Sequence, residues 1–286
     1  MNYLISDRAF KIASFAVQSL FYEVSCYPSP GLVSPVSNGA HRDMNYYTFI
    51  DSTCALIKYF TLIAEAGLNA GSGKELFEKI RTIGIDGEKE MFIKTNGVNT
   101  QKGMLFLLGI VCAAVGKMKK EKRTFGAVRE IVKEMTAGLV EKELDCLKED
   151  DELSHGKILY LEHKVKGVRG EVENGLPTIF NFSLDFYDKS FDLKRNDRLV
   201  HTLIGIMQVC VDTNIIYRHS YEVLLEVQQK AKDIISAGGM KTDQGRKMIA
   251  GLSAEFEKRR ISPGGCADIL GVTVFLHMIR ESWETF

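Results

Sequence analysis

Apolar residues return three or four positions apart along almost every long stretch of this 286-residue chain. That spacing draws a single stripe down a helix and scatters over both faces of a strand. In residues 7–24 the stripe is Phe10, Ala13, Val17, Leu20, Phe21 and Val24. Residues 48–65 repeat the pattern, with Gly67 offering a stop, and Ser72 with Glu75 reads as a capping box opening another helix. Further helices are expected at 100–118, 124–142, 196–211, 221–236, 242–259 and 267–279. Strict alternation is scarce, and only 178–184 reads as extended. The expected fold is all-α, a single compact multi-helix domain over residues 1–286. Three of the five prolines, Pro28, Pro30 and Pro35, join Gly31, Ser34, Ser37, Asn38 and Gly39 in a long Pro/Gly-rich loop between the first two helices.

Charge narrows the partners. Lysine plus arginine equals aspartate plus glutamate at 37 each, so no overall basic field draws the protein to nucleic acid or to an anionic membrane. Anion recognition must then be local. The longest apolar run, 104–115, is too short to span a bilayer, and residues 1–15 carry Asp7, Arg8 and Lys11 where a signal peptide would be uncharged. A cytoplasmic protein is expected. Cys26, Cys54, Cys112, Cys146, Cys210 and Cys266 lack CxxC spacing and read as small buried hydrophobes, with no metal-thiolate site among them.

Five segments combine glycine or proline with charge, each beside a strongly apolar helix, where polar groups can converge on one cleft. The first, 29–44, offers His41 and Arg42 to phosphate and Asp43 to a magnesium ion. The second, 97–103, places Asn99 or Thr100 to cap the helix that follows and Lys102 in its first turn, where a cation opposes the helix dipole unless an anion binds there. The third, 167–177, sets Arg169, Glu171 and Glu173 between glycines, and a charged turn between helices reads equally well. The fourth, 212–220, begins with Asp212 after a long apolar stretch. A buried carboxylate needs a partner, which Arg218 could supply as a plain ion pair. The fifth, 261–271, carries Asp268 near a helix start, explained by the dipole alone or by magnesium.

In this order the segments resemble the triphosphoribosyl-dephospho-CoA synthase family along nearly the whole chain. The matching residues are Pro30-Gly31-Leu32-Val33, Asn38-Gly39-Ala40-His41, Asp43-Met44, Asn99-Thr100, Lys102-Gly103, Arg169-Gly170-Glu171, Asp212-Thr213-Asn214, Ser262-Pro263-Gly264-Gly265 and Asp268. The sequence departs from the family pattern at Ser29, where a basic residue is common, at Gln101, where histidine is common, and at His219-Ser220, where glycines are common.

The resemblance implies transfer of the triphosphoribosyl group of ATP to the ribose 2′-hydroxyl of dephospho-CoA, with release of adenine. The product would pass to a separate holo-acyl-carrier-protein transferase serving citrate lyase or malonate decarboxylase, and a homodimer is compatible with the sequence. It further implies His41, Arg42, Lys102, Arg169 and Arg218 as the cations that meet two polyanions, with Asn99 and Asn214 as further substrate contacts. Asp43, Glu171 and Asp268 are the candidate magnesium ligands. Cleavage at ribose C1′ builds oxocarbenium character that a carboxylate can stabilise while a base accepts the hydroxyl proton. Asp212 and Asp51 are the candidates for those roles, with Glu23 in reserve. An all-α, magnesium-dependent nucleotide or ADP-ribosyl hydrolase is the alternative enzyme, and a helical binding module the non-enzymatic one.

Overall fold

A computed structural model describes residues 5–145 and 155–282, so Cys146 lies outside the described residues. Thirteen α-helices follow one another in the described chain and no strand occurs among its residues: α1 Asp7–Ser25, α2 Tyr46–Leu68, α3 Gly73–Lys94, α4 Lys102–Lys120, α5 Ala127–Thr136, α6 His155–His163, α7 Gly167–Glu173, α8 Leu184–Asp188, α9 Arg195–Met207, α10 Thr213–Arg218, α11 Tyr221–Ser236, α12 Asp243–Arg259 and α13 Gly264–Glu281.

Two helices are apolar nearly all round and take the centre, as such helices must. α4 is buried without a break from Leu107 to Met118, and α13 is buried on most of its length from Cys266 to Ile279. α1 packs on α2, α4 and α13, α2 packs on α4, and α9 packs on α13 from the second half. One apolar cluster therefore runs from Ala9 to Ile279 and unites the described chain around a single core. Phe60, Phe256 and Phe275 are among its largest fully buried side chains, and truncating any one to alanine would cost about 3–5 kcal/mol.

Gly67 does not stop α2. The helix runs on to Leu68, and the glycine serves the crossing with α4: a Cβ on Gly67 would stand 2.2 Å from the Ala113 carbonyl oxygen. Gly116 answers from α4, where a Cβ would stand 2.6 Å from the Ala64 carbonyl oxygen. The two backbones touch there.

The helix expected over 124–142 is shorter. α5 ends at Thr136, Gly138 takes a φ of +76°, and the chain continues into a π-helical turn at Glu141–Asp145. Residues 178–184 are not extended either. With no strand to pair with, their backbone groups are satisfied locally in a π-helical turn, Ile179–Ser183, that runs into α8, and the Ser183 hydroxyl reaches Thr273 of α13 at 2.6 Å. Cysteines 26, 112, 210 and 266 are buried, but Cys54 is exposed on α2. No described helix is long and apolar enough to cross a membrane.

The connection from α1 to α2 is an ordered loop. Ser34 donates its amide to Ser37 O at 2.8 Å and Ala40 to Gly31 O at 3.0 Å. Gly31 has a φ of +72°, and a Cβ there would stand 1.9 Å from the Ile261 carbonyl oxygen, so the loop lies against the segment that leads into α13.

Candidate active site

Four helix ends and the loop enclose a cavity of about 990 Å³, at the upper end of the volumes that bind small ligands. Its walls are Leu32, Val33, His41, Asp43 and Met44 of the loop, Asn99 to Met104 at the start of α4, the α6–α7 turn with Glu171, the start of α10, and Gly264 to Asp268 at the start of α13. Glu23, near the end of α1, completes it.

Two carboxyls face this space without a hydrogen-bond partner among the described residues. Glu23 is 7% exposed, and burial pushes its carboxyl up to about 8. Asp268 is half-buried, and burial, then the neighbouring Glu23 and Asp212 charges, hold its carboxyl well above the usual carboxylate range. A Cβ on Gly103 would stand 2.6 Å from Asp268 Oδ2, so the absence of a side chain at that position makes room for the acid.

Asp212 behaves differently. It is fully buried, as the apolar run before it suggests, but Arg218 is not its partner. Its Oδ1 accepts from the amides of Asn214 at 2.9 Å and Ile215 at 3.3 Å, capping α10, and its Oδ2 accepts from the Cys266 amide at 2.9 Å. One carboxylate thereby ties the start of α10 to the start of α13. Burial outweighs these bonds and raises its pKa. It is absent from the cavity wall, and Gly265 packs over it, with a Cβ position 3.1 Å from its Cγ. Ligand atoms of Cys210, Asp212 and Cys266 also lie within 4.8 Å of one another, a grouping that the scattered cysteine spacing does not reveal.

The expected cations separate into two groups. His41, Lys102 and Arg218 line the cavity. His41 Nε2 lies 2.9 Å from Ser262 Oγ, and burial, then Arg218, lowers its pKa, so the ring is neutral at pH 7. Lys102, a cation at a helix start, is offset by Glu88 at 2.6 Å. Arg42 is exposed and stands off the wall, and Arg169 is off it too, its Nε donating to Glu143 at 2.7 Å in a cluster that includes Arg81. Arg169 is therefore held in an ion pair with Glu143. Asp51 is exposed on α2 and also stands outside the cavity. Of the remaining candidates, Asn99, Asn214, Asp43 and Glu171 all line it, and both Glu171 oxygens are engaged by Thr178, at 2.8 Å from the amide and 2.9 Å from the hydroxyl.

One wall feature was marked in the sequence only as a departure from the family pattern, and two more were not singled out at all. Gln101 is 4% exposed and held by α2, accepting from Ser52 Oγ at 2.7 Å and donating to Thr53 Oγ1 at 3.2 Å, while Thr100 Oγ1 donates to Ser52 at 2.7 Å. This hydroxyl network fixes the residues that precede α4, where Asn99 Oδ1 also accepts from the Lys102 amide. Lys164 and Lys166, immediately before Gly167, are the other two.

Comparison of the sequence with known proteins shows its family. The family model described as "ATP:dephospho-CoA triphosphoribosyl transferase" aligns with residues 9–285, which takes in every segment of the cavity wall. The chain belongs to that family. Among similar members, a probable 2-(5''-triphosphoribosyl)-3'-dephosphocoenzyme-A synthase of Malonomonas rubra is 35% identical over 98% of this chain and 91% of its own length. The protein of the same description in Lactiplantibacillus plantarum is 38% identical, over 93% of this chain and 95% of its own length. Protein CitXG of Leuconostoc mesenteroides subsp. cremoris is 37% identical over 93% of this chain, which covers 58% of that longer protein. No solved structure matches. Membership in the triphosphoribosyl transferase family lends no support to the hydrolase reading.

Proposed function

We propose that the protein transfers the triphosphoribosyl group of ATP to the ribose 2′-hydroxyl of dephospho-CoA and releases adenine, with Glu23 and Asp268 as its reacting carboxyls. The observation that carries this reading is the pair of cavity-facing acids without hydrogen-bond partners, set in a family of this activity. With a pKa of about 8, Glu23 keeps its proton near neutrality and can give it to the departing adenine as the C1′–N9 bond breaks. The resulting carboxylate takes the proton of the incoming 2′-hydroxyl as the new C1′–O bond forms, so the residue ends as it began. Asp268 faces the ribosyl cation, and positive charge arriving there favours its ionised form. Asp212 acts through position, holding the start of α13 and with it Asp268.

Magnesium would accompany this chemistry as the counter-ion of the triphosphate. The proposed ligands Asp43, Glu171 and Asp268 do not meet as a group that could share an ion among the described residues, and Glu171 is committed to Thr178. They do not fit a protein-built metal centre, and no step is assigned to one. An ion borne on ATP would enter with the substrate, as magnesium commonly does with nucleotide phosphates. The product would be consumed by a separate transferase that loads an acyl carrier protein.

Incubating the purified protein with ATP, dephospho-CoA and magnesium tests the reading. Adenine and a triphosphoribosyl adduct should appear together, each dependent on dephospho-CoA. ADP or AMP in their place, or adenine without an adduct, would sink it.

A further inference from the structure

We infer that Lys164 and Lys166, with Arg218, form the subsite that grips a phosphoanhydride chain of one of the two substrates. This rests on the function proposed above. The cation set expected from sequence is depleted by the structure: Arg42 and Arg169 do not line the cavity, Lys102 is paired with Glu88, and His41 is neutral at pH 7. Two polyphosphate substrates still have to be received in a cavity that presents Glu23, Asp43, Glu171 and Asp268. The side chains left to receive them are Lys164, Lys166 and Arg218. All three line the cavity, and none is ion-paired with a carboxylate among the described residues.

Their placement is built by the fold. Lys164 takes a φ of +57° and Gly167 of +53°, so the chain turns sharply on both sides of Lys166. Thr213 of α10 closes on Gly167, its Cγ2 3.0 Å from where a Cβ would stand, and His163 packs near the Tyr221 ring at 6.3 Å. The turn is thereby fastened to the helix that carries Arg218. Arg218 in turn is near enough to His41 to depress its basicity, which places the cluster beside the loop wall of the same cavity. No cation lowers the carboxyl of Glu23 or Asp268, so the phosphate chain can be anchored without neutralising the groups that act on the ribose.

The test uses the intact protein and the double variant K164A/K166A, with K164R/K166R as the charge-conserving partner and K189A, an exposed lysine paired with Asp185 off the cavity, as control. Helical circular dichroism checks that each variant folds. Calorimetry with inorganic tripolyphosphate should give an affinity about tenfold or more weaker in K164A/K166A, largely restored in K164R/K166R and unchanged in K189A. In the adenine-release assay, a raised KM for ATP alone assigns the cluster to the triphosphate, a raised KM for dephospho-CoA alone assigns it to the diphosphate, and a rise in both makes it common to the two. Tripolyphosphate affinity and both KM values within about twofold of wild type overturn the inference. Wild-type protein that binds tripolyphosphate through these lysines yet releases no adenine would keep the subsite and remove the reaction.

Discussion

Gly103 lies directly against the carboxylate of Asp268, so that a Cβ on the glycine would stand 2.6 Å from Oδ2. The first turn of α4 and the second turn of α13 can share this corner only if one of them has no side chain. G103A should push the Asp268 carboxylate aside while leaving both helices intact, because alanine favours helix. The expected outcome is a drop in kcat of about tenfold or more with little change in thermal stability, read from adenine release and a melting curve.

The proton-donor role proposed for Glu23 sets a pH limit on the reaction. As a proton donor it must be protonated, so kcat/KM should fall as pH rises past about 8. E23Q keeps the shape and removes the proton transfer, which should lower kcat by about 10²-fold or more and abolish that limb of the profile.

The same group writes a signature into stability. Its folded pKa, about 8, exceeds the value of 4.5 for a free glutamate, so the folded form holds its proton longer than the unfolded one. Stability from this site is full below pH 4.5 and drains away as pH climbs to about 8. The melting temperature of E23Q relative to wild type should therefore be higher at pH 9 than at pH 5.

Asp212 should prove a matter of architecture. D212A strips the acceptor from three amides, of Asn214, Ile215 and Cys266, the last two buried, and should cost about 3 kcal/mol or more in denaturant unfolding. D212N should cost less, since its remaining oxygen can still cap α10. A D212A protein as stable as wild type would contradict the tie between α10 and α13.

Arg169 makes the complementary case. R169A breaks the bond to Glu143 but touches no cavity wall, so KM for both substrates should stay within about twofold of wild type. A large rise in either would return Arg169 to the binding site.

Much of the fold was legible in the sequence because the helical stripes are strong and several ends carry their own caps. Residues 221–236 are a helix at both expected ends, with Ser220 accepting from the Val223 amide, and Thr242 caps α12 in the same way. α7 was harder. Its two glycines argue for a turn, yet burial of Val172 and the closure of Glu171 onto Thr178 hold it as a helix.

For the site, local reading reached burial but not partners. The apolar run marked Asp212 as buried, while the amide that completes it comes from Cys266, far along the chain. Arg169 stood between glycines like a phosphate ligand, and the Glu143 that claims it lies in another segment. Lys164 and Lys166 fell just outside the third glycine segment, and a lysine there looks like any solvated charge until the turn that carries it is seen to border a cavity.

The two proposed reacting acids come from the first and last of the described helices, α1 and α13, which meet only when the chain has closed upon itself. The loop and α4 can therefore form with the pair still open, and under the proposed roles the acids become a working site only once α13 has docked on α1.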